Sequence, residues 1–141
     1  MSVDASYNSY NCRIQIIIKL LIKVLLSKRI TMGKITKRFE KEFSIMHDVN
    51  HALFMNSGTS ALHVALAALK DRHGWSDGDE VIVPAVTFVA TSNIVLHNKM
   101  TPVFVDVEPD TLCIDHEKIK HAISKNTAAI IPVHFLSLIH I

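Results

Sequence analysis

A chain of 141 residues, 49% hydrophobic and 20% charged, is the size of one domain with a core of its own and is too apolar to stay unfolded. Fifteen basic residues against thirteen acidic ones leave a net charge of +2, which argues against a nucleic-acid or polyanion partner, and the high mean hydropathy of +0.27 means a large interior or an apolar face given to a partner. Two cysteines, Cys12 and Cys113, lie far apart without metal-ligand spacing, the usage of a reducing, cytoplasmic compartment.

Residues 1–13 are polar and aperiodic and read as an irregular, disordered or mis-called start. Ile14 to Leu26 is an apolar helix interrupted by Lys19 and Lys23, which share one face. It is shorter than the roughly 20 apolar residues a bilayer span needs, and no small-residue cleavage site follows it. The expectation is a buried or interface helix with one wet stripe, and no membrane partner. Lys28 to Lys34 breaks the pattern, and Ile35 to Met46 reads as an amphipathic helix on Ile35, Phe39 and Phe43.

A turn over His47 to Asn50 leads to a short expected strand, Ala52 to Met55. A small-residue loop, Asn56 to Ser60, then opens an apolar helix, and Asp71 to Asp79 is a polar connection with Gly74 and Asp77-Gly78 as turn signals. Glu80 to Pro84 is a β-branched run without alternation, as in a strand covered on both faces. Thr87 to His97 reads as a helix capped by Thr87, Thr101 to Val107 as a strand, Glu117 to Ser124 as a short helix and Thr127 to Val133 as a third buried strand. Strands alternating with helices at this spacing define an α/β fold, a mainly parallel sheet with helices on both faces.

In open α/β sheets ligands sit beyond the carboxyl ends of the strands. Two loops qualify. In Asn56 to Ser60, the unpaired N–H groups and positive dipole end of the following helix favour an anion; Gly58 allows close backbone approach, and Thr59 and Ser60 add hydroxyl donors. The same residues also make an ordinary N-cap loop. In Pro84 to Phe88, the Phe88 ring either stacks on a planar cofactor or fills the core. Asp79 and Glu80 read as solvated or capping carboxylates rather than an acid/base pair, and His63 and His134 as core or surface histidines. No metal site is expected. Lys19, Lys23, Lys28 and Arg29 read as a wet face.

Five blocks in order carry a family resemblance: Asn56 to His63, Gly78 to Pro84, Thr87 to Thr91, Pro102 to Val107 and Ile130 to His134. Together they resemble the amino-terminal third of the DegT/DnrJ/EryC1/StrS family, over about Ile30 to Phe135 and more loosely the helix before it. The resemblance implies a fold-type I aminotransferase large domain, of which residues 14–135 would be the amino-terminal part. It implies pyridoxal 5'-phosphate as cofactor, amino transfer from an amino acid, typically glutamate, to a nucleotide-linked keto-sugar, and a homodimer. Gly58, Thr59 and Ser60 would meet the cofactor phosphate, Phe88 would stack on the pyridine ring, and Asp106 would be structural.

The Schiff-base lysine and the carboxylate on the pyridinium nitrogen lie, in the family, beyond the block ending at His134. Leu136 to Ile141 departs from the family pattern, so the expectation is a truncated or frame-shifted chain with a foreign tail over 136–141, inactive by itself. Two alternatives stand beside the aminotransferase: a sugar dehydratase of the same family, in which histidine replaces the lysine, and a non-catalytic α/β module that holds a phosphorylated ligand.

Overall fold

The computed structural model describes residues 3–134, with side chains from Ile14 onward. The tail expected over 136–141 lies outside the described residues. The chain divides into two compact units, Met1–Phe54 and Met55–Ile141.

The first unit is helical. Helix α1 spans Val3–Leu26 and helix α2 spans Lys34–Met46. The expectation of an irregular start gives way here: the backbone is helical from Val3, eleven residues before the apolar run begins. Of the two expectations for α1, buried or interface, burial is not met within this chain: its apolar side chains stand open, Leu25 at 66% and Leu26 at 78% exposure. On α2 the four-residue recurrence is an aromatic seam: the Phe39 ring lies 5.7 Å from Phe43 and meets Phe54 edge-on at 5.5 Å. Phe43 in turn packs on His47 at 4.2 Å.

The strand expected at Ala52 to Met55 does not form; the segment is irregular. A strand needs a ladder partner, and the Phe54 N–H donates instead to the Glu40 carboxylate at 3.0 Å. Among the described residues no helix is long and apolar enough to cross a membrane.

The second unit is α/β, with α3 (Gly58–His73), β1 (Glu80–Pro84), α4 (Ala90–His97), β2 (Thr101–Val105), α5 (His116–Ala122) and β3 (Thr127–Ile130). The strands form one parallel sheet in the order β2-β1-β3, flanked by helices. Val81, Ile82 and Val83 on the central strand are wholly buried, the outcome expected of a β-branched run without alternation. Leu66 from α3, Ile94 and Val95 from α4, and Met100 close the core over Val81 and Val83. The outer strands are only partly covered: Phe104 on β2 is 58% exposed and Ile130 on β3 is 42% exposed.

Element ends follow hydrogen bonding more than residue type. β2 stops at Val105, two residues short of the expected end, because Val107 leaves the sheet for an antiparallel bridge with Ile114. β3 stops at Ile130 rather than Val133. Thr87 does not cap α4: its hydroxyl pairs with that of the buried Thr91 at 2.9 Å, and Val89 holds the N-cap position without a side-chain bond. α3 ends on Gly74 at φ 67°, the left-handed conformation that closes a helix and that glycine adopts without a Cβ clash.

Candidate functional site

Helix α3 begins where Ser57 turns the backbone. Ser57 is extended at φ −157° and its Oγ accepts the Ser60 N–H at 3.1 Å, while its carbonyl accepts the Ala61 N–H at 3.0 Å. The Ala61 bond is the first of the helix ladder, and the Ser57 side chain satisfies one of the donors that lack an intrahelical partner. Among the described residues the N–H groups of Gly58 and Thr59 have no acceptor, and both residues are exposed. Ser57 Oγ is also 3.0 Å from Ser60 Oγ, which fixes the second hydroxyl at the mouth of the turn. No acidic residue stands in this turn, so its partial positive charge is unopposed by a carboxylate there.

Gly58 is an ordinary helical residue by its backbone, and a Cβ built on it would meet nothing within 4 Å. Protein packing therefore does not call for glycine. A residue without a side chain there leaves the backbone open to close approach by an anion. Tested against a phosphate, this turn fits: two unpaired amides, two hydroxyls, a dipole end and no carboxylate.

Topology sets the second loop at the same edge. α3 ends beside the start of β1, joined by a short turn in which the Lys70 ammonium bonds Asp77 at 2.5 Å and the Asn98 carbonyl, at the end of α4, at 2.7 Å. Asn98 also reaches the His63 carbonyl, and the His63 and His97 rings meet edge-on at 5.6 Å. α3 ends shortly before β1 begins, and α4 joins the parallel strands β1 and β2, so the two packed helices both run from the carboxyl edge of the sheet toward its amino edge. Their first turns share that carboxyl edge with the loop from Ala85 to Val89. Within this loop Phe88 is 74% exposed. It is not a core aromatic, and its face is free.

The other candidates resolve into structural roles. Asp79 accepts the Ser76 N–H at 2.8 Å and holds the turn, while Glu80 takes the Ser124 hydroxyl at 2.5 Å and that of Thr127 at 3.3 Å, tying the α5–β3 turn to the start of β1. Asp106 accepts Lys118 Nζ and the Val107 N–H, both at 2.9 Å, and the Lys118 bond foremost holds its carboxyl below the usual range. His63 is half-buried between α3 and α4, and His134 is exposed.

Sequence reasoning placed Ser57 in an N-cap loop without singling it out, and its three-residue spacing to Ser60 is the capping signal that could have done so. It also had no sign of the approach of Glu108, Asp115 and His116, whose ligand atoms lie within 4.8 Å of one another. Those groups are already engaged: Asp115 caps α5 through the Glu117 and Lys118 N–H groups, and Glu108 accepts the Thr111 hydroxyl.

A parallel sheet flanked by helices, with a helix start at its carboxyl edge, is an arrangement that part of a fold-type I domain of the pyridoxal-phosphate enzymes shares with other open α/β sheets. The chain belongs to the DegT/DnrJ/EryC1/StrS aminotransferase family, whose model matches residues 11–138. It is 40% identical over 124 residues to the 3-oxo-glucose-6-phosphate:glutamate aminotransferase of Bacillus subtilis, covering 88% of this chain and 27% of that protein. Against the GDP-perosamine synthase of Caulobacter vibrioides it is 43% identical over 104 residues, 74% of this chain and 27% of the relative.

Among solved structures, NtdA of B. subtilis with bound cofactor PMP superimposes with a TM-score of 0.78 at 39% identity, over 89% of this chain and 28% of that one. The E. coli GDP-4-keto-6-deoxy-D-mannose-3-dehydratase with bound hydrated PLP gives 0.76 at 35% identity, over 84% and 31%. The chain thus spans between about a quarter and a third of the length of these relatives.

Proposed function

We propose that these residues form the cofactor-phosphate part of a pyridoxal-phosphate-dependent enzyme that modifies nucleotide-linked sugars. The observation that carries the reading is the pair of unpaired amides at Gly58 and Thr59, opened by a residue without a side chain and flanked by the Ser60 hydroxyl. Gly58, Thr59 and Ser60 would hold the phosphate, and the exposed face of Phe88 would lie on the pyridine ring. When bound, the cofactor supplies an electron sink for chemistry at the substrate carbon.

The part played by this chain is binding and orientation. The α3 dipole and hydroxyls would anchor the anionic tail without a full positive charge, and Phe88 would cover one face of the ring and exclude water from it.

Of the two activities, we favour amino transfer to a keto-sugar, with an amino acid as donor and a homodimer as the working form. Support comes from the aminotransferase of B. subtilis, a relative whose named activity is transfer from glutamate, at 40% identity. The lysine and carboxylate that the family uses for catalysis lie beyond its last matching block. The 141 residues alone are accordingly expected to bind cofactor without turning over substrate. Calorimetric titration with pyridoxal phosphate and with pyridoxal tests the binding: the phosphorylated compound should bind at least tenfold tighter, and Ser60→Ala should narrow that gap. Equal affinity for the two compounds would refute the site. Turnover of a nucleotide-linked keto-sugar by this chain, with a borohydride-trapped adduct on one lysine, would refute the division of labour.

A further inference from the structure

We propose that Thr91 is a positioning residue for the Phe88 ring, acting through its hydroxyl pair with Thr87; the proposal rests on the reading of Phe88 given above, as the side chain that covers the cofactor ring. Packing within this chain does not fix that ring, since Phe88 is 74% exposed and Val89 beside it 59% exposed. Hydrogen bonds fix the backbone that carries it. The Thr91 N–H donates to the Phe88 carbonyl at 2.9 Å, and the hydroxyls of Thr87 and Thr91 meet at 2.9 Å, so one residue of α4 holds both Phe88 and the residue before it. At the other end of the loop the Ala85 N–H donates to the Val105 carbonyl at 2.8 Å, which ties the loop to the end of β2. The segment is pinned twice, with Phe88 next to the second pin.

Core packing alone does not ask for a hydroxyl at position 91. The buried residues of α4 are Ala90, Thr91, Ile94 and Val95, and Thr91, 5% exposed, is the one polar member of the set. Valine has nearly the same shape and brings no polar group out of water, whereas a buried hydroxyl costs free energy unless it is bonded. Proton placement gives the bond its direction. If Thr87 donated, the buried Thr91 proton would be left without an acceptor; if Thr91 donates, the proton left over belongs to the half-buried Thr87 and can reach water. Thr91 is therefore the donor, and its hydroxyl draws the Thr87 side chain onto α4. A loop held in this way presents Phe88 to the cofactor ring already ordered, which lowers the entropy lost on binding.

The test is titration of the whole 141-residue chain with pyridoxal phosphate, read by calorimetry and by the circular dichroism that an ordered site induces in the bound ring. Thr91→Val leaves the Thr87 hydroxyl to water and should bind at least threefold more weakly, with a smaller ring signal at saturation. Thr91→Ser returns the hydroxyl and should recover both. Thr87→Val removes the same bond from the other partner and should behave as Thr91→Val does. In the Phe88→Ala background, itself weakened, Thr91→Val should have no further effect, the mark of a residue that acts through Phe88. Wild-type affinity and signal in both valine variants, with Phe88→Ala weakened, would overturn the role of Thr91 and leave the cofactor reading standing. A full further loss when Thr91→Val is added to Phe88→Ala would make Thr91 a packing residue and overturn it as well. Unchanged binding in Phe88→Ala would overturn the reading of Phe88 and the proposal with it.

Discussion

Ser57 joins stability and binding in a single side chain, and substitution can separate them. Its Oγ caps the Ser60 N–H and orients the Ser60 hydroxyl. Ser57→Ala should cost about 1 kcal/mol of unfolding free energy, read from urea denaturation. Ser57→Asp keeps a capping oxygen and adds a negative charge beside the proposed phosphate, so stability should hold while pyridoxal phosphate affinity falls severalfold. Equal affinity in Ser57→Asp would place the phosphate elsewhere.

Asp106 belongs to the same scale. The hydrogen bond from Lys118, and after it the Val107 N–H, lowers its carboxyl in the folded chain below the ordinary 3.8. The folded value is the lower one, so this contribution is present above the unfolded value and is lost as pH falls through the folded one. Asp106→Asn should flatten that part of the acid limb of a urea-midpoint against pH curve. The group is exposed, so the effect should shrink in high salt.

At the scale of elements, α4 is the test of packing. Ile94 is 1% exposed in the core beneath α3, whereas Leu96, two residues on, is 56% exposed. Ile94→Ala should cost about 2–5 kcal/mol and Leu96→Ala less than about 1 kcal/mol, both by denaturant titration. At the end of α3, Gly74→Ala forces a Cβ into φ 67° and should cost about 1–2 kcal/mol.

These elements were legible in residue type to different degrees. The β-branched run at Val81 to Val83 announces a buried central strand because no polar residue interrupts it. Ala52 to Met55 looks similar and is not a strand, since a strand is a property of a pair and a carboxylate from α2 takes the Phe54 N–H. Thr87 precedes a helix as a cap would, yet its hydroxyl turns to Thr91. Local chemistry permits both arrangements, and the fold selects one.

At the scale of the whole molecule, the two halves of the proposed site were legible separately and their relation was not. Asn56 to Ser60 declares a helix start rich in donors, and Phe88 an aromatic past a strand end; their common edge follows only from α3 and α4 running in the same sense. The sequence left α1 as buried or interface for a similar reason, because periodicity tells which residues seek cover and not whether this chain supplies it. The central claim is that the first turn of α3 grips the anionic tail of the cofactor. A crystal structure of the chain with pyridoxal phosphate tests it most directly. Phosphate oxygens within hydrogen-bond distance of the Gly58 and Thr59 N–H groups and the Ser60 hydroxyl, with the ring against Phe88, are the predicted result; a phosphate lodged elsewhere, or a turn closed by side chains, would contradict it.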